Sequence, residues 1–106
     1  MIRRGEVYYQ DKYAGLIEEV DEGFQFTYEK NYLINETKPI SLTMPLREEA
    51  YLSKTMIPFF DGLIPEGFLL NVAEENWKLN SKDRMGLLLA CCRDCIGAVT
   101  IIAEDI

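Results

Sequence analysis

The chain has 106 residues, 48% of them hydrophobic and 27% charged, with 18 acidic side chains against 11 basic ones and a net charge of −7. That length builds one hydrophobic core, so residues 1–106 read as one domain, with no room for the paired lobes of a kinase or a doubly wound enzyme. The acidity excludes a phosphate backbone as a direct ligand, because that binding needs clustered Lys and Arg to displace counterions.

Met1-Ile2-Arg3-Arg4-Gly5-Glu6 leads into a polar, alternating stretch and not into an apolar signal core. No run approaches the ~20 apolar residues of a membrane span, and the expectation is a cytoplasmic protein without a membrane partner. Glu6 to Gln10 and Tyr13 to Val20 are rich in Val, Tyr, Leu and Ile around the polar break Asp11-Lys12, which predicts an antiparallel hairpin. Gly15, inside the second run, marks a bulge or a close backbone approach. After the turn Asp21-Glu22-Gly23, residues Phe24 to Lys30 alternate strictly, with Phe24, Phe26 and Tyr28 on one face. Ile40 to Met44 alternate again until Pro45, which predicts a fourth strand of a meander with one buried face.

Beyond Pro45 the period becomes helical. Met56 to Asp61 predict a short helical turn closed by Gly62 in the left-handed conformation. Pro65 suits the first position of a second helix, whose Leu69, Val72, Ala73 and Asn76 or Trp77 share a face, with Phe68 beside it. Ser81 is the expected cap of a third helix that turns Met85, Leu88 and Leu89 inward, with Asp83 in its first turn. Asp94 and Gly97 mark a break before Ala98 to Ile102, a last buried strand. The predicted class is α+β: a small antiparallel or mixed sheet, or a partly closed barrel, of about five strands with two to three helices between strand four and the last strand.

Chemistry is poorly provided for. There is no histidine, which removes the commonest general base and metal ligand, and no glycine-rich phosphate loop with a following Lys. Arg93-Asp94 superficially matches a kinase catalytic loop, but Val99 stands where a metal-binding Asn is needed. No catalytic, cofactor or metal residue is expected, and the chain is read as a non-enzyme.

Cys92-Arg93-Asp94-Cys95 has the spacing of a redox or metal hook. With Cys91 it supplies three thiols where a closed zinc site needs four ligands, and packed core cysteines are the preferred reading. An odd number of cysteines at this spacing also argues against a disulfide framework. Glu18, Glu19, Asp21 and Glu22 lack the regular alternation of a calcium loop and read as a solvated hairpin end. Around Pro65, a helix N-terminus with Gly67 could admit an anion, but the charge of Glu66 repels one and suits the helix dipole instead. Phe59, Phe60 and Phe68 divide between core packing and apolar anchors of a protein interface.

Several segments, in order and spacing, resemble the N-terminal domain of the HipA-like serine/threonine kinases of bacterial toxin–antitoxin systems. They are Gly15-Leu16, Phe26-Thr27-Tyr28, Tyr32-Leu33, Pro39-Ile40-Ser41-Leu42-Thr43-Met44-Pro45-Leu46, Phe59-Phe60-Asp61-Gly62-Leu63-Ile64-Pro65-Glu66-Gly67, Leu87-Leu88 and Asp94-Cys95-Ile96-Gly97-Ala98-Val99. One departure is Cys92-Arg93, where the family usually has a Gly just before Asp94. The resemblance implies a small non-catalytic domain packed on a kinase body that holds every active-site residue. In split systems of this kind, a short protein resembling this domain binds the separate kinase and blocks it, while a helix-turn-helix partner binds DNA.

The chain is therefore expected to be a stand-alone, non-catalytic subunit that binds a HipA-like kinase lacking its N-terminal domain and neutralises it. The expected docking residues are Phe59, Phe60, Asp61, Leu63, Ile64, Pro65, Glu66, Gly67 and Phe68. A subunit that completes and supports a split kinase is the alternative, and a thiol or metal-binding protein built on Cys91, Cys92 and Cys95 is a second. Pairing of an isolated copy with itself, to bury an apolar face, also stays open.

Overall fold

The computed structural model describes residues 3–64, 83–91 and 98–104. Strands β1 (Arg4–Tyr9) and β2 (Lys12–Val20) form the expected hairpin. Its turn residues are Gln10 and Asp11, one position earlier than the polar break suggests, with φ of 48° and 69°. Two successive left-handed residues make the kind of two-residue turn whose twist matches that of the strands.

Both expectations for Gly15 are met. Val7 pairs with Gly15 while Tyr8 pairs with Tyr13, so Ala14 is the extra residue of a bulge. A Cβ at Gly15 would lie 2.3 Å from the Thr27 carbonyl oxygen and 2.8 Å from the Phe26 ring. Strand β3 (Gly23–Tyr28) buries Phe26 and Tyr28 and half-buries Phe24, as the alternation predicts.

The chain then departs from the predicted meander. A six-residue helix, α1 (Lys30–Asn35), follows β3, and the Glu29 carboxylate caps it by accepting from the Asn31 and Tyr32 N–H groups. The predicted strand Ile40–Met44 is a turn, in which the Met44 N–H donates to the Ser41 carbonyl at 3.0 Å. Ile40 and Met44 are buried because Tyr28 ties down both ends: its hydroxyl accepts from the Ile40 N–H at 3.1 Å and donates to the Met44 carbonyl. Tyr32 and Tyr51 donate to the carbonyls of Lys38 and Pro45. Leu42, between the anchors, is 95% exposed. An in-out-in pattern therefore comes from a pinned turn, which a period-two reading cannot tell from a strand.

Burial pushes the Tyr28 phenol up to about 12, so it stays a donor throughout the neutral range. Tyr28→Phe leaves a buried N–H and a carbonyl without this partner and is expected to cost about 1–3 kcal/mol in urea denaturation. A loss indistinguishable from zero would contradict the anchoring role.

The true fourth strand is the short β4 (Tyr51–Ser53), which pairs Phe24 with Ser53 and Phe26 with Tyr51. Helix α2 (Pro58–Asp61) has Pro58 in its first turn, where the missing N–H costs nothing. Gly62 caps α2 with φ −68° and ψ −16°, right-handed and not left-handed as expected. The reason is that the chain continues in tight turns, with the Leu63 and Ile64 N–H groups donating to the Phe60 and Asp61 carbonyls at 3.0 and 3.2 Å.

Helix α3 (Arg84–Cys91) is capped by Asp83, whose carboxylate accepts from the Gly86 N–H at 3.2 Å. The predicted cap Ser81 and the predicted second helix, from Pro65 through Leu69, Val72, Ala73, Asn76 and Trp77, lie outside the described residues, as do Asp94 and Gly97. Met85 and Leu88 are buried as predicted, Leu87 joins them, and Leu89 is partly buried.

Strand β5 (Val99–Ala103) returns to pair with β1, giving an open, wholly antiparallel sheet in the order β4-β3-β2-β1-β5. The α+β class holds, and among the described residues the sheet does not close into a barrel. One helix, α1, falls before β4 and not after it. The inner sheet face, with Val7, Ile17, Phe26 and Ile101, packs with Phe60, Met85, Leu87 and Leu88 into the core.

Arg3 closes the structure at one end. Its guanidinium donates to both Glu19 carboxylate oxygens at 2.8 and 2.6 Å and to both Asp83 oxygens at 2.9 and 2.8 Å, tying β2 to the start of α3. Arg4 lies 3.7 Å from Glu18, so these two members of the acidic cluster are paired side chains and not a solvated end. Asp21 and Glu22 are exposed as expected.

The Arg3 hydrogen bonds hold the carboxyl groups of Glu19 and Asp83 below their usual range. Depressed carboxyl pKa values mean stabilisation that is present above the unfolded-state values and lost as pH falls through the folded ones. The three side chains are a third or more exposed, which keeps the effect modest. Melting temperature should fall less for Arg3→Met than for the wild type between about pH 7 and pH 3, because the variant lacks the pairs whose protonation destabilises the fold. Equal falls would contradict the linkage.

Candidate partner-binding site

The segment singled out from the sequence divides into two roles. A single helical turn from Pro58 cannot turn successive residues the same way, and Phe60 and Ile64 go inward, 0% and 3% exposed. Phe60 packs on Phe26 at a ring-centroid distance of 5.3 Å. Both side chains are therefore part of the core and offer little surface of their own. Phe59 lies edge-on to Phe60 at 5.2 Å and is half-buried, as is Leu63. Asp61 accepts from Arg84 Nε at 2.7 Å and so fastens α2 to the first turn of α3. Pro65, Glu66, Gly67 and Phe68 lie outside the described residues. Among the described part of the segment, Phe59 and Leu63 are the apolar side chains that still have surface to offer.

The outer face of the sheet is a second surface that sequence reading did not single out. A polar row crosses three strands and reaches the residue after β5: Arg4 lies 3.5 Å from Glu104 and 3.7 Å from Glu18, and Gln25 donates to Glu18 at 3.2 Å. The next row holds half-buried Ile102, Glu6, Leu16 and Thr27, in register across β5, β1, β2 and β3. Tyr8 and Tyr13 stand beyond it with ring centroids 5.6 Å apart. Strict alternation along β1 and β2 was the available signal, since each inward Val7 or Ile17 implies an outward neighbour.

At one corner of the sheet, Val20, Asp21, Glu22, Phe24, Leu52, Ser53 and Lys54 line a groove of about 530 Å³. Leu52 is 71% exposed there. Ile34 on α1 and Leu42 on the pinned turn are also exposed, at 78% and 95%. Such surfaces suit association with a protein.

Among the described residues no group of three or more Cys, Asp or Glu side chains could hold a metal ion. The side chain of Cys91 and all of Cys92 and Cys95 lie outside the description. No described helix is long and apolar enough to cross a membrane.

The pattern of the HipA N-terminal domain matches residues 5–102. An uncharacterized protein of Haemophilus influenzae is 31% identical over 104 residues, a match that spans 98% of this chain and 95% of the relative. Among solved structures, the N-terminal domain of HipA toxin superposes with a TM-score of 0.73 at 25% identity, covering 99% of this chain and 95% of that one. The chain is thus a HipA-related toxin–antitoxin component, homologous to the non-catalytic part of the kinase. It belongs to the HipA N-terminal domain family.

Proposed function

We propose that this protein is a non-catalytic antitoxin subunit that binds a separately encoded HipA-like kinase lacking this domain and neutralises it. The observation that carries the reading is the near end-to-end match to a Haemophilus relative of almost the same length, in which the domain stands with little added. The family resemblance implies a domain packed on a kinase body, and on this reading a separate copy docks on a kinase made as another chain. Phe59 and Leu63, half-buried on the rim of the core, supply apolar contact for such docking. The net charge of −7 leaves DNA contact to a helix-turn-helix partner reached through the complex.

Co-expression tests this directly. The kinase and this chain are expected to co-purify, and cells carrying both are expected to grow where the kinase alone arrests them. Separate elution at micromolar concentration would sink the reading. Growth arrest that deepens when this chain is present would instead support the alternative, a subunit that completes the kinase.

A further inference from the structure

The corner groove and the edge strand beside it form one feature with a definite chemistry. In the β2–β3 ladder, the Glu29 N–H donates to the Ala14 carbonyl at 2.8 Å, so residues 23, 25 and 27 of β3 turn their backbone groups toward β2. Residues 24 and 26 therefore face β4 and engage Ser53 and Tyr51, their register partners. Leu52 lies between these pairs, and its N–H and carbonyl point out from the edge of the sheet.

Beside the groove, the β2–β3 turn is held close to β4. Gly23 has φ 145°, and a Cβ there would lie 2.1 Å from the Ser53 carbonyl oxygen, so only glycine lets the turn press against β4. Val20, Phe24 and Leu52 give the groove apolar walls. Asp21 and Glu22 put two exposed carboxylates at its mouth against the single cation Lys54, on a chain whose net charge is −7. Neither carboxylate forms an ion pair with a described residue.

We propose that the outer edge of β4 takes up an extended segment of a partner protein in which an apolar residue alternates with lysine or arginine. The backbone of that segment pairs with the N–H and carbonyl of Leu52, its apolar side chain enters the groove, and its cation meets Asp21 and Glu22. A second copy of this chain fits less well, since it would bring its own acidic groups to the same corner.

The probe is a six-residue peptide alternating valine with lysine or arginine, with a control in which glutamate replaces each cation, titrated into the ¹⁵N-labelled protein. Shifts that cluster at residues 20–24 and 51–54, absent with the acidic control, are the expected result. Leu52→Pro removes the outward N–H, leaves the ladder bonds of Tyr51 and Ser53 in place and suits an edge strand, and should weaken binding at least about tenfold. Leu52→Ala keeps the N–H and should weaken it less. Asp21→Lys with Glu22→Lys should transfer the preference to the acidic peptide. No shift up to about 1 mM peptide, shifts spread over the acidic surface, or Leu52→Pro binding as tightly as Leu52→Ala would each overturn the proposal. Concentration-dependent broadening at β4 without peptide would also overturn it, by assigning the edge to a second copy.

Discussion

Phe60→Ala is expected to destabilise the protein by about 3–5 kcal/mol, because a wholly buried ring leaves a cavity that its neighbours fill only partly. Phe60 lies between Phe26 at 5.3 Å and Phe59 at 5.2 Å, on the short helix α2, which is fastened to α3 through the Asp61–Arg84 pair. A domain of this size has a total stability of about 5–15 kcal/mol, so the variant should be partly unfolded near body temperature. Phe59→Ala removes a half-buried ring and is expected to cost clearly less. Urea denaturation of the two variants side by side checks the assignment. If Phe59→Ala proved the more damaging, the division of this segment into core and rim would be wrong.

The second large effect concerns partner binding. The double substitution of Phe59→Ala and Leu63→Ala is expected to weaken the proposed complex with a HipA-like kinase by about thirtyfold or more, the scale set by losing one or two interface anchors worth ~2 kcal/mol. Circular dichroism should show the fold retained, since the deeper Phe60 and Ile64 stay in place. Affinity measured by calorimetry within threefold of wild type, on a folded double variant, would move the docking surface away from α2. Phe60→Ala is the wrong variant for this purpose. It weakens binding through the fold and says nothing of the interface.

Residue patterns foretold the elements where local chemistry and burial agree. The β1–β2 hairpin was legible because a polar turn separates two β-branched and aromatic runs, and β3 because Phe24, Phe26 and Tyr28 alternate against a wet face. The last strand was legible as a short apolar run bounded by polar residues. What failed did so for a common reason: a distant side chain decided the local conformation. Ile40, Leu42 and Met44 alternate like a strand, yet Tyr28, a dozen or more residues away, pins the two ends of a turn and leaves Leu42 in water. Pro39, Ser41, Thr43 and Pro45 were the turn chemistry that outweighed the alternation.

The candidate site was legible in outline only. Phe59 and Phe60 are equivalent as letters, and only the crossing of α2 over Phe26 makes one of them core and the other rim. Leu52 could not be found from the sequence, because a three-residue strand has too short an alternation to show, and its outward backbone follows from the register of β3 two strands away from the first hairpin bond. The Arg3 fork leaves no sequence signature, because Glu19 and Asp83 are brought together only by the fold.

The measurement closest to the central claim is autophosphorylation and substrate phosphorylation by the purified HipA-like kinase, with this chain added in increasing ratio. Activity is expected to fall to background as the ratio reaches one to one, and the double variant of Phe59 and Leu63 should shift that titration to higher concentration. Activity that stays constant across the titration, or that rises with added chain, would contradict the proposed antitoxin role.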